Sequence, residues 1–347
     1  MNENKHDHNI FANTMAKAKY FTKKHKALVY IGLFGILIFL PMIFTKSGTH
    51  AIFCRILMYS ILAGSLNSIN GYSGQTCLGQ AGFFAIGAYT MAVLATRFGI
   101  SFWMLIPIAG LFSALVGMLI ALPTMRMRGI YLAFVTIGFS EIVRLIALNW
   151  MSVTGGPMGI KNIPTPMLFN FKISGPRDFY YIYLMVGALF LFCTDRIIKS
   201  RVGRAWMSIR EDQQASNSLG VNTTFYKTIN FMYGAFWAGV VGCIFASYAR
   251  YVDSSSFGLD TGWNILSMMV IGGQGTLIGP VVGSVIINTL TEVLRVIGSW
   301  RMVIYAVLII MTMWLRPQGL VGASHSAFNK HMGERAKRSR DKIEVEK

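Results

Sequence analysis

The chain has 347 residues, 54% of them hydrophobic and only 13% charged, against about 25% charged in a typical soluble domain. Its formal net charge of +18 raises the question of nucleic acid, but the basic residues flank apolar runs instead of decorating one folded face, which excludes that reading. A mean hydropathy of +0.51 at this length, with 35 glycines, specifies an all-α, polytopic integral membrane protein whose helices pack closely through small residues.

Residues 1–26 read as a basic cytoplasmic segment, with Lys17, Lys19, Lys23, Lys24 and Lys26 leading into the first apolar run. That run, 27–45, is too long for a secretory signal core and lacks a small-x-small cleavage site, so it reads as a retained anchor. A bilayer core about 30 Å thick needs about 20 apolar residues per helix. Ten candidate spans follow: 27–45, 51–70, 80–97, 102–124, 130–150, 179–195, 226–249, 263–278, 280–298 and 301–316. The count falls within eight to ten, because 263–278 is short and interrupted by Gly272, Gly273 and Gly275. Residues 27–320 then form the permeating domain and 321–347 a basic cytoplasmic tail.

Loop charge sets the orientation. With the N-terminus inside, ten crossings place Arg126, Arg128, the polar stretch after residue 196 and the basic tail on the cytoplasmic side. Both termini are expected there.

The stretch "SRVGRAWMSIREDQQASNSLG", Ser200 to Gly220, is the longest polar segment between apolar runs. Ala205, Met207, Ile209, Ala215 and Leu219 alternate with Arg204, Arg210, Glu211, Asp212 and Gln214, the pattern of one short amphipathic helix closed by Gly220. From topology alone it is either a docking element or a basic loop resting on lipid headgroups.

Two further patterns stand inside the apolar runs. "GQTCLG" (Gly74, Gln75, Gly79) and "GQGTLIG" (Gly273, Gln274) echo each other in the two halves. Paired interruptions suggest an internal pseudo-repeat with a translocation path at its interface, where half-helix N-termini would attract a substrate carboxylate. The alternative is that these glycines only let helices cross tightly. Glu141 with Arg144, and Glu292 with Arg295, repeat an i, i+3 spacing within spans. Each pair must face protein or water, as a wall of the path, a subunit-interface lock or a structural ion pair.

Catalytic and metal signatures are missing: there is no GxxxxGK[ST], HExxH or GxSxG, and His6 and His8 stand alone near the terminus. Cys54, Cys77, Cys193 and Cys243 lie in or beside apolar segments without a CxxC pair, so packing is expected of them and neither a disulfide nor a metal site. An ion-coupled secondary transporter would need a coupling carboxylate free of a fixed cation, which Glu141 and Glu292 are not. A membrane enzyme or scaffold would lack its constellation.

Several stretches, in order, resemble the permease subunits of ABC importers for branched-chain amino acids. "GRAWMSIREDQQASNSLGVN" resembles their cytoplasmic coupling loop, although Ala215-Ser216 stands where the general loop has an Ala pair after Glu. "NGYSGQTCLGQAGFFAIGAYT", "MRMRGIYLAFVTIGFSEIVRL", "TGGPMGI", "VIGGQGTLIGPVVGS" and "LRPQGL" complete a match running from about residue 55 to 320. The Arg-x-Arg-Gly stretch and the long external loop resemble the LivM-type subunit more than its shorter LivH-type partner. The resemblance implies a chain without cofactor, metal or enzymatic activity. It implies a second permease subunit, two ATPase subunits, an external binding protein and an amino-acid substrate (leucine, isoleucine or valine). In this reading Arg204, Arg210, Glu211, Asp212, Ala215 and Gly220 couple to the ATPase. The related urea and short-chain amide permeases are the alternative.

Overall fold

The computed structural model describes residues 47–294 except 125, 126, 128, 169 and 170, together with scattered positions in 35–42 and 307–321. Most of span 27–45, most of 301–316, the end of 280–298, the residues Arg126, Arg128 and Arg295, segment 1–26 and tail residues 322–347 lie outside the described residues. The chain divides into two compact units, 1–50 and 51–347. Within the first, His50 Nε2 lies 3.1 Å from the Pro41 carbonyl oxygen.

The described chain is helical because its apolar runs must satisfy their own backbone groups wherever water is excluded. Helix α1 covers Ser47–Asn67 and continues into a π-helical turn at Ser68–Tyr72. Then come α2 (Gln80–Phe98), α3 (Phe102–Thr124), α4 (Ile130–Asn149) and α5 (Pro176–Lys199). The polar stretch forms α6 (Arg201–Glu211) and α7 (Gln213–Ser218). The long α8 (Thr223–Ala249) precedes α9 (Leu259–Gly272) and α10 (Gly279–Val293). Among the described residues six helices, α1 to α5 and α8, are long and apolar enough to cross a membrane.

Span 263–278 is corrected to a helix that ends at Gly272, where Gly273 adopts φ +121°. At 14 residues α9 is about 21 Å long and falls short of the hydrocarbon core. It forms a close antiparallel hairpin with α10. A Cβ on Gly272 would lie 1.9 Å from the Gly279 carbonyl oxygen, and one on Gly283 as near to that of Met268.

The centre of the bundle is α8: 72% of its most apolar stretch is buried, against 28% for α4 and for α5. Glycines set its contacts. A Cβ on Gly87 would stand 2.1 Å from the Gly239 carbonyl oxygen and one on Gly242 would stand 2.2 Å from that of Phe84, so α2 and α8 meet backbone to backbone. The outward face of α3 carries Met104, Leu111, Phe112, Leu115, Leu119 and Leu122, all exposed within this chain, as a lipid- or partner-facing helix requires.

Between α4 and α5 lie strands β1 (Ile160–Lys161), β2 (Met167–Leu168) and β3 (Phe171–Lys172); β4 (Tyr251–Val252) follows α8. Strand β1 pairs antiparallel with β4, Ile160 opposite Val252, and β2 pairs with β3. Beside β4, burial pushes the Asp253 carboxyl up, but the Ser255 and Ser256 hydroxyls donate to it and outweigh burial, holding it below its ordinary value.

Candidate functional site

Three segments converge at one end of the bundle. The first is the loop 73–79 between α1 and α2. Gly74 supplies the left-handed turn at φ +68°. The Asn70 side chain brackets the loop, donating to the Cys77 carbonyl at 3.1 Å and accepting from the Cys77 amide at 3.0 Å. The Leu78 amide donates to Thr136 Oγ1 on α4 at 2.9 Å, and the Gln75 amide donates to the Ile69 carbonyl at 3.2 Å. Helix α2 therefore starts inside the bundle. Gln80, 1% exposed, donates to the Gly234 carbonyl at 3.2 Å, about 16 Å along α8 from its start.

The second segment is the loop after α9. A single side chain from α1 holds it: Asn67 donates to the Thr276 carbonyl and accepts from the Gly275 amide, both at 2.8 Å. Asn67 and Asn70 share one face of the helix end, so this face clamps both glycine–glutamine loops. Gly71 stands at the contact, with no room for a Cβ: one placed there would lie 2.5 Å from the Gly275 nitrogen. From 319–321, the Leu320 and Val321 amides donate to the Ile271 and Gly272 carbonyls, which α9 would otherwise leave open at its C-terminus.

The third segment is the polar arm. The single helix expected over this stretch is two helices, broken at Asp212, whose carboxylate accepts from the Gln214 and Ala215 amides and so caps a new helix instead of continuing the old one. Helix α6 buries Ala205, Trp206 and Ile209, and the Trp206 indole donates to the Tyr226 carbonyl at 2.8 Å. Ser208 and Ser216 join α6 to α7 through their hydroxyls, 2.6 Å apart. Gly220 closes the arm at φ +84°. Glu211, Asp212, Ala215 and Gly220 are exposed, as is Leu219 at 82%. Arg204 folds back to donate to the Lys199 carbonyl at 3.2 Å. Arg210 is exposed as well, but its Nη1 reaches inward and donates to the Gly71 carbonyl at 2.5 Å.

The echo between the two loops is partial. Both interrupt helices and they meet, but Gln75 is buried and Gln274 exposed. The amides of Gln75, Cys77, Leu78 and Gly275 are engaged by protein groups, so these four donors hold the loops together and do not await an anion. Three buried acceptors nearby, Gln75 Oε1, Gln80 Oε1 and Asn230 Oδ1, have no hydrogen-bond partner among the described residues.

The ion pairs lie elsewhere. Arg144 Nε donates to Glu141 Oε1 at 2.9 Å, midway along α4, with about a third of each side chain open within this chain. Glu292 lies 3.8 Å from Arg55 on α1, a partner its sequence neighbours do not suggest.

The sequence profile described as "Branched-chain amino acid transport system / permease component" matches residues 48–313. The chain belongs to this family of permeases. It is 36% identical to the high-affinity branched-chain amino acid transport system permease protein LivM of Salmonella typhimurium, over 86% of this chain and 76% of that protein. It is 35% identical to LivM of Escherichia coli K12 over the same shares. To LivH of Escherichia coli K12 it is 26% identical over 50% of this chain and 59% of that one. No solved structure matches significantly. The permease is thus a multi-pass membrane protein of a family that includes both LivM and LivH.

Sequence inspection missed Asn67, Asn70, Thr136 and Asn230. The signal for the first two was present: an Asn-x-x-Asn spacing at the end of an otherwise apolar run, immediately before the glycines.

Proposed function

We propose that this chain is the LivM-type permease subunit of an ABC importer that carries leucine, isoleucine and valine across a bacterial cytoplasmic membrane. The observation that carries this reading is 36% identity over most of the chain to a protein of that name. The chain pairs with a LivH-type permease, two ATPase subunits and an external binding protein, and it performs no chemistry itself. The fold is completed by eight to ten crossings, with the first and last supplied by 27–45 and 301–316. Both termini and the arm face the cytoplasm. Glu211, Asp212, Ala215, Leu219 and Gly220 present the exposed surface of the arm to the ATPase.

The translocation path runs where the chain leaves polar groups without a partner of its own. Glu141 and Arg144 keep about a third of their side chains open on a helix whose outer face has few neighbours, so the second permease or the water of the path covers that part. Gly74, Gln75, Gly79, Gly273 and Gln274 form its closed end, where the unpartnered amide oxygens of Gln75, Gln80 and Asn230 accept hydrogen bonds from water or a passing ammonium group. The exposed Gln274 and the contact of Glu292 with Arg55 leave those two positions at the margin of this path.

Two experiments test this. Cells lacking the chain are expected to lose uptake of labelled leucine and keep uptake of urea; loss of urea uptake alone would transfer the reading to the amide permeases. A cysteine replacing Leu219 is expected to react with an impermeant thiol reagent in inside-out vesicles and not in intact cells, and the reverse pattern would invert the topology.

A further inference from the structure

Arg210 occupies a position that docking does not explain. Its backbone packs on the first loop, where a Cβ on Gly74 would meet Arg210 Cγ at 3.1 Å and Cα at 3.3 Å. Its guanidinium passes beyond that loop to the Gly71 carbonyl. On the far side stands the second loop: a Cβ on Gly275 would lie 2.6 Å from Arg210 Nη1 and 3.2 Å from the Gly71 carbonyl oxygen. Glycine at 71, 74 and 275 thus leaves a slot into which one planar, charged side chain fits. The donor is a fixed cation and the acceptor a main-chain carbonyl, so the bond is charge-assisted and directional.

We propose that Arg210 is a positioning residue: a bolt that ties the cytoplasmic arm to the junction of the two interrupted helices, so that displacement of the arm withdraws it and lets the loops separate. The arm is stiff enough to pull it. Trp206 and the Ser208–Ser216 contact fix α6 and α7 to one another and to α8, and Arg210 stands one turn from Trp206. The surface left for the ATPase is the other side of the arm, at Glu211, Asp212, Ala215 and Leu219. The inference rests on the reading of the arm as the ATPase-driven element and adds to it how the movement reaches the path.

The test uses the assembled complex in proteoliposomes, with R210Q, R210K and G275A. R210Q is expected to retain the ATPase subunits and hydrolyse ATP at the wild-type rate while leucine imported per ATP falls about tenfold or more, the weight of one charge-assisted hydrogen bond. R210K, which keeps the charge without the planar fork, should fall between. G275A, whose methyl would displace Nη1 from the opposite side, should resemble R210Q. Unchanged import per ATP would overturn the bolt, and loss of the ATPase from R210Q would make Arg210 a docking residue. A second readout needs no ATPase: Ser73, 2% exposed beside the slot, is replaced by cysteine in a C193S background. Its labelling by a soluble thiol reagent should accelerate about tenfold in R210Q, since the loops then open more often; an unchanged rate overturns the proposal. If wild-type import proves independent of ATP while labelling still accelerates, the ATPase reading fails and the bolt stands.

Discussion

Replacing Asn67 by leucine is expected to lower leucine import at least tenfold, while the chain still inserts and assembles. Asn67 is 2% exposed and is the side chain through which α1 holds the loop after α9. Leucine is of similar size and leaves the packing of α1 intact. It strips the Thr276 carbonyl of its donor and the Gly275 amide of its acceptor, each loss costing about 1–3 kcal/mol where water is excluded. About 1.4 kcal/mol is a factor of ten in an equilibrium, so the loops should part for a large fraction of the time. Asn70→Leu is the control: it frees Cys77 in the first loop and leaves the contact between loops standing. Import rates and thermal stability in detergent decide the matter. Wild-type import by N67L would mean that the contact between loops carries no weight in transport.

The second large effect is expected at Glu141. A charged side chain at the centre of a span costs about 2.5–3.5 kcal/mol on insertion scales. Glu141→Gln removes the partner of Arg144 and leaves that charge uncompensated midway along α4. Expression of the single variant should therefore fall sharply. The double variant E141Q/R144Q carries no charge and should insert as well as wild type. Its import of leucine, however, should stay well below the wild-type rate, because the polar surface presented to the second permease or to the path is gone. With R144Q as the second single variant, the set is a double-mutant cycle read both as membrane abundance and as transport. Full import by the double variant would reduce the pair to a structural one.

The architecture was legible in the sequence wherever apolar length alone decides. The spans expected at 80–97, 102–124 and 226–249 match α2, α3 and α8 within a few residues. The glycine-rich split after α1 was legible too, because no continuous helix accommodates so many glycines beside an internal polar run. The arm was half legible. Its amphipathic pattern marked a surface helix, but Asp212 reads equally as one more polar residue or as a cap, and only its bonds to two amides reveal the break. The contact of Glu292 with Arg55 was not legible at all, while its expected pairing with Arg295 lies outside the described residues. Arg55 is remote in sequence, and i, i+3 neighbours dominate any reading that lacks tertiary contacts. The same limit hid the clamp. An asparagine in an apolar run reads as a helix-contact residue until the backbone it reaches is known. Arg210 was singled out as part of the coupling segment for its charge, and the structure turns that charge toward Gly71.

The measurement that bears most directly on this account is import of labelled leucine by cells or proteoliposomes containing both permease subunits, with and without the ATPase subunits. Import that requires the ATPases and added ATP, and that stops when either is withheld, is what a permease driven through the arm at 201–218 predicts. Import that continues at an undiminished rate without them would contradict it.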